Sequence, residues 1–196
     1  MYKILIIILL WSCNNGNSGT VTTVPLNFHD SLAHMGHQLS KDKVTYNASY
    51  VKLTYPNGDV PPNLGACTDV IIRAYRKMSI DLQKEVHEDM IQVFHLYPNR
   101  WGLSKPDYNI DHRRVYNLMV FFERKGEILP ITNNPKDFRP GDIICWELSR
   151  GMTHIGLITN EKVNNTYYII HNIGGGQVLE NCLFNYKIIG HYRYKK

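Results

Sequence analysis

Apolar positions along the chain fall into two regimes. Between residues 28 and 124 they recur at helical spacing. Leu32, Met35 and Leu39 mark a helix over 28–40; Val70, Ile71, Ala74, Tyr75 and Met78 mark one from Cys67 to Met78. Leu82, Val86, Met90, Val93, Phe94 and Tyr97 predict a third from Asp81 to Tyr97, where Pro98 stops it. Val115, Leu118, Met119 and Phe122 predict a fourth over Arg114 to Arg124, ended by Gly126. Residues 41–64 and 98–112 read as irregular, with turn residues at Pro56-Asn57-Gly58-Asp59 and Pro61-Pro62.

Beyond residue 140 the pattern shortens to β-rich runs: Gly141 to Leu148, Thr153 to Thr159, Thr166 to Ile173, Gln177 to Phe184 and Lys187 to Tyr194. Breaks fall at Gly151, Asn164-Asn165 and Gly174-Gly175-Gly176. Helices followed by short-looped strands predict an α+β fold, with N-terminal helices packed on an antiparallel β-sheet in one domain over 26–196.

The amino terminus reads as an address. Lys3 supplies a positive start and Ile4 to Leu10 an apolar stretch, so residues 1–12 resemble an export signal. The run from Ile4 to Trp11 is too short to span a bilayer, which needs about 20 residues. Leu10-Trp11-Ser12-Cys13 resembles a bacterial lipobox, which makes Cys13 the lipidation site and residues 13–25 a flexible tether. A plain secretory signal cleaved nearby is the alternative. Either places the domain outside the cytoplasm, and acylation places it on a bacterial membrane.

Composition narrows the functional classes. The chain has 196 residues, 43% hydrophobic and 20% charged, which excludes wholesale disorder. The formal charge is +5, with basic residues scattered rather than gathered into a face, so no nucleic-acid partner is expected. Cys67, Cys145 and Cys182 remain after Cys13, an odd number with no C-x-x-C pair. Cys145 and Cys182 read as small buried apolar residues.

Cys67 has a different setting. It opens a helix directly after a glycine-containing loop, where unpaired N–H groups and a partial positive charge favour thiolate and can hold an oxyanion. The expectation is a lowered thiol pKa. His154 starts one strand and His171 ends the next. If the two strands form a hairpin, both histidines reach one rim of the sheet. His154 is then the base for Cys67, and His171 the residue that fixes its ring.

A cysteine at a helix start, then a strand histidine, then a polar residue on the following strand resembles the order in the NlpC/p60 superfamily of papain-like cysteine peptidases and amidases. The chain is more closely similar to one bacterial family of that superfamily, domain of unknown function 1287. The matching segments are Tyr-Pro-Asn-Gly-Asp-Val-Pro-Pro (55–62), Gly-Ala-Cys-Thr-Asp-Val (65–70), Val-His-Glu-Asp-Met (86–90), Asp-His-Arg-Arg-Val (111–115), Arg-Pro-Gly-Asp (139–142), His-Ile-Gly (154–156) and His-Asn-Ile-Gly (171–174). The resemblance implies catalytic residues Cys67, His154 and His171, a papain-like fold, no cofactor, and a peptidoglycan stem peptide as substrate. The bond cut is then the N-acetylmuramoyl-L-alanine amide or a D,L-peptide bond. The 87 residues between Cys67 and His154 exceed the gap in compact members of the superfamily, so the extra helix and the 98–112 loop are expected to shape the cleft.

Tyr55, Asp69, His112 and Arg113 are the candidate substrate contacts. Arg113 or His112 would hold a substrate carboxylate, while Asp111 caps the following helix on the plainer reading. His87-Glu88-Asp89 lacks the zincin pattern, and His34 and His37 suit an exposed helix face. No metal ligand is assigned, and a monomer is expected. A metal-dependent amidase built on His154, His171 and His191 and a non-enzymatic wall-binding lipoprotein are the rival readings.

Overall fold

A computed structural model describes residues 27–196. The expected signal, Cys13 and its tether lie outside the described residues. Asn27 caps the first helix, α1 (Phe28–Leu39), its side chain accepting the Asp30 N–H at 3.0 Å. Two short strands, β1 (Thr45–Tyr46) and β2 (Leu64–Gly65), pair in parallel within the stretch expected to be irregular. Next come α2 (Cys67–Lys77), α3 (Leu82–Val93) and α4 (Val115–Lys125).

The predicted third helix ends early. Val93 leaves helical geometry, and Phe94–Leu96 form a separate 3-10 turn before Pro98. Another 3-10 turn, Asp111–Arg113, leads into α4. No described helix is long and apolar enough to cross a membrane.

The remaining strands are β3 (Glu127–Ile128), β4 (Ile143–Glu147), β5 (Thr153–Val163), β6 (Thr166–Ile173), β7 (Gly176–Glu180) and β8 (Lys187–Arg193). They form one antiparallel sheet in the order β3-β8-β4-β5-β6-β7. The expected class, helices on an antiparallel sheet, is what the chain adopts. The Gln177–Phe184 run is shorter than expected, because Asn181 to Tyr186 turn away to cover the sheet.

The central strands are buried on both faces, which explains why β4 reads as a continuous apolar run rather than an alternating one. Ile143 and Cys145 join Leu32, Ile71, Tyr75, Phe122 and Leu157 beneath the helices. Ile144 and Trp146 join Phe138, Ile158, Ile169, Cys182 and Leu183 on the other face. Cys145 and Cys182 therefore sit in different cores as free thiols. Gly156 matters to the second core: a Cβ there would lie 2.6 Å from Ile169 and 3.1 Å from the Trp146 ring.

Candidate active site

The turn that carries Cys67 is built without a side-chain cap at its first position. Ala66 is extended and has nothing to offer the helix. Asp69, at the third helical position, compensates: its carboxylate accepts the Ala66 N–H at 2.6 Å and complements the helix dipole. The same carboxylate takes a two-pronged grip from Arg113, Nε to Oδ1 at 3.0 Å and Nη2 to Oδ2 at 3.0 Å. The rest of the Arg113 guanidinium donates to the carbonyls of Ser49 at 2.9 Å and Asn47 at 3.3 Å. Thr68 Oγ1 donates to the Arg113 carbonyl at 3.1 Å.

On the sheet side, Asn172 Nδ2 of β6 donates to the Gly65 carbonyl at 2.9 Å. The Cys67 turn is thus held between the 111–113 segment and the rim of the sheet. There the Ile155 backbone N–H, one residue past His154, lies close enough to the Cys67 sulfur to favour its thiolate form.

His154 and His171 come together as expected. Their rings meet edge to face, His154 Nε2 to His171 Nδ1 at 3.0 Å. In register His171 lies across from Gly156, so the two histidines sit diagonally on one face. The sequence reading missed the next link: His171 Nε2 contacts Glu180 Oε2 on β7 at 3.2 Å. A carboxylate only accepts, so this contact assigns a proton to His171 Nε2. His171 Nδ1 then accepts from His154 Nε2–H, and the lone pair of His154 stays on Nδ1. Glu180 was hidden because it lies nine residues from His171 and outside every motif. Trp146 stacks on His154, with ring centroids 5.7 Å apart, and is fixed by Nε1–H donating to the Leu183 carbonyl at 3.0 Å.

Burial dominates the electrostatics. His154 is held down to about 3 by burial and by the neighbouring His171; burial also lowers His171, against the pull of Glu180. Cys67 is only 6% exposed, and burial pushes its thiol up to about 11. Three backbone N–H groups, of Ile155, Thr68 and Cys67, pull it down without offsetting that. This corrects the expected thiolate. The helix start does provide the donors, but the site is too dry for them to ionise the thiol at rest. Thiol and imidazole both rest neutral; Cys67 belongs to the core beneath the helices, whereas His154 pairs and stacks with Trp146 of the other core.

The predicted substrate contacts separate. Asp69 and Arg113 are buried against each other, so the arginine expected to grip a substrate carboxylate is already engaged by an internal one. His112 is buried, and burial together with Arg113 and Arg76 holds it down to about 3; its Nδ1 has no partner among the described residues. Tyr55 is 38% exposed and packs on His87 and Tyr108 at 5.1 and 5.2 Å, and no described contact ties it to Cys67. Tyr46 was not expected at the site, yet it stands opposite Gly65 in register, and burial, with Cys67 and Asp69 nearby, raises the pKa of its hydroxyl.

Asp111, read as a helix cap, accepts from the Asp107 N–H and from Arg114. His191 is taken up elsewhere. Its Nε2 meets Asp142 at 2.8 Å, its Nδ1 donates to the Pro130 carbonyl at 2.9 Å, and its ring stacks on Phe138. The three-histidine metal set is therefore not assembled. The side chains placed to share a metal are instead His171, Glu180 and Cys182. A cavity of about 680 Å³, lined by Lys136, Arg139, Lys162 and Lys195 among others, contains none of the predicted site residues.

Residues 33–194 match the family described as "Domain of unknown function (DUF1287)". The chain belongs to that family. A relative in sequence is "Uncharacterized protein YijF" of Escherichia coli (strain K12). It is 46% identical over 176 residues, covering 89% of this chain and 86% of the relative. Among solved structures, NlpC1 from Trichomonas vaginalis is similar with a TM-score of 0.49 and 16% identity, over 88% of this chain and 46% of that one. The DUF1287 chain thus spans about half the length of that protein.

Proposed function

We propose that the chain is a cysteine-dependent amide hydrolase acting on the stem peptides of bacterial peptidoglycan. One observation carries the reading. The Cys67 sulfur sits at a helix start, beneath the N–H that follows His154, while His171 holds His154 by Nε2 and leaves Nδ1 free to accept a proton.

Because both groups rest neutral, proton transfer accompanies attack. Cys67 Sγ adds to the amide carbonyl as its proton passes to His154 Nδ1. The N–H groups of the first turn of α2 receive the oxyanion. Collapse returns the proton to the leaving amine. Water, deprotonated by His154, then releases the acyl group and restores the thiol. Glu180 and His171 act as positioning residues, because together they hold His154 in the tautomer that can accept.

The wall substrate rests on the resemblance to NlpC/p60 enzymes, and the bond is the N-acetylmuramoyl-L-alanine amide or a D,L-peptide bond. An extracytoplasmic domain tethered to a membrane through lipidated Cys13 would meet such a substrate as a monomer. A wall-binding lipoprotein without turnover is the second reading, and the burial of Cys67 favours it.

Digestion of purified peptidoglycan by the chain and by Cys67→Ala, with products read by mass spectrometry, tests both. Fragments made by the parent alone are expected, and their masses name the bond. Fragments from both proteins would remove Cys67 as nucleophile. Fragments from neither would favour the binding reading.

A further inference from the structure

Three metal-binding atoms converge behind the catalytic line. His171 Nε2, a Glu180 carboxylate oxygen and Cys182 Sγ all lie within 4.8 Å of one another. The nitrogen and the oxygen are 3.2 Å apart. Two ligands about 2.0–2.2 Å from one tetrahedral ion stand roughly 3.3–3.5 Å from each other, so that pair is already at coordination spacing. His171 and Cys182 are buried, whereas Glu180 is exposed, which leaves one side open to solvent for ion entry and a fourth, water ligand. One thiolate and one carboxylate neutralise a divalent cation, the arrangement a low-dielectric pocket tolerates best. Sulfur, imidazole and carboxylate together suit zinc rather than calcium or magnesium.

The ion would compete for the proton that sets the tautomer. In its absence, Glu180 accepts from His171 Nε2–H and the lone pair of His154 stays on Nδ1. A metal on His171 Nε2 needs that lone pair, so the His171 proton must sit on Nδ1. It then donates to His154 Nε2, whose own proton moves to Nδ1, the atom that has to accept from Cys67. The exchange runs through water and leaves both rings neutral. The only proton released is that of the Cys182 thiol.

We infer that His171, Glu180 and Cys182 form a zinc site, and that the bound ion turns the catalytic pair off by reversing the tautomers of His171 and His154. The inhibitory half rests on the cysteine-hydrolase reading; the binding half does not.

The test uses the full chain in three readouts. Titration with Zn²⁺, and with Co²⁺ as an optical surrogate, is expected to saturate one site with a thiolate-to-cobalt charge-transfer band. The band persists in Cys67→Ser and is lost in Cys182→Ser, with affinity weakened by at least about tenfold, as expected for loss of a ligand. A band that survives Cys182→Ser, or none in the parent, overturns the site. Long-range ¹H–¹⁵N spectra should show both rings moving from Nε2–H to Nδ1–H on zinc addition, and unchanged tautomers overturn the switch. In wall digestion, one equivalent of zinc should suppress the parent, while the rate ratio with and without zinc stays near one in Cys182→Ser. A zinc-insensitive parent overturns inhibition. A chain with no turnover even when metal-free, but with the tautomer reversal present, supports the zinc site and fails the hydrolase reading instead.

Discussion

Arg113→Met should cost stability before it costs anything else. The guanidinium grips buried Asp69 by two hydrogen bonds of 3.0 Å and donates two more to backbone carbonyls. Both side chains are almost fully buried, 2% and 4% exposed. Removing one partner of such a pair leaves an uncompensated charge and typically costs about 3–5 kcal/mol. For a domain of this size that is a fall in Tm of roughly 6–20 °C. Asp69→Asn should lose a similar amount, since it also weakens the acceptor for the Ala66 N–H. The double variant Asp69→Asn/Arg113→Met buries no lone charge and should be less destabilised than the sum of the singles. Urea unfolding of all four proteins closes the cycle and gives the coupling energy. The reasoning is refuted if Arg113→Met shifts Tm by less than about 2 °C and instead raises KM for a wall substrate. That result would return the guanidinium to the substrate, the role for which the sequence made it, with His112, a candidate.

Three further outcomes follow from the same structure. Burial raises the Cys67 thiol to about 11, so alkylation of Cys67 should be slow at neutral pH and accelerate as pH climbs toward that value; site-resolved mass spectrometry after a timed pulse checks this, and a rate that levels off near pH 7 contradicts it. Burial pushes Asp89 up, but Arg124, Tyr97 and Lys125 overcome that and hold it at about 2. A folded value below the unfolded one adds stability above about pH 4 that is lost as pH falls through 2, so Asp89→Asn should flatten the acid limb of an unfolding free-energy profile. Gly156→Ala should lose about 1–3 kcal/mol by overpacking Ile169 and Trp146, measurable by the same unfolding, and a neutral effect would mean that the second core gives way easily.

Much was legible in sequence because it depends on short-range periodicity. Four helices, the main strands and the α+β class follow from helical spacing and short β-rich runs, and a stop such as Gly126 marks a helix end, whereas Pro98 stands well beyond the end of α3. The Cys67 turn was legible for the same reason, since a helix start is a local event. The His154–His171 pairing needed only a hairpin, whose short loop brings a strand start beside the next strand's end.

What escaped depends on which residues distant strands and loops bring face to face. Arg113 and Asp69 are 44 residues apart, so nothing local reveals that the arginine already has its carboxylate within the fold. The Cys67 thiol is another case: the helix start argues for ionisation, and only the packing of α2 against the sheet removes the water that ionisation requires. Glu180 and Cys182 lie beyond the last histidine motif; the register of β7 sets Glu180 near His171, and the turn that follows brings Cys182 to both. Periodicity along the chain thus determined the elements and the residues able to do chemistry. Tertiary packing decided their protonation and partners, because solvent exclusion and long-range contact are set by the whole fold rather than by neighbours in sequence.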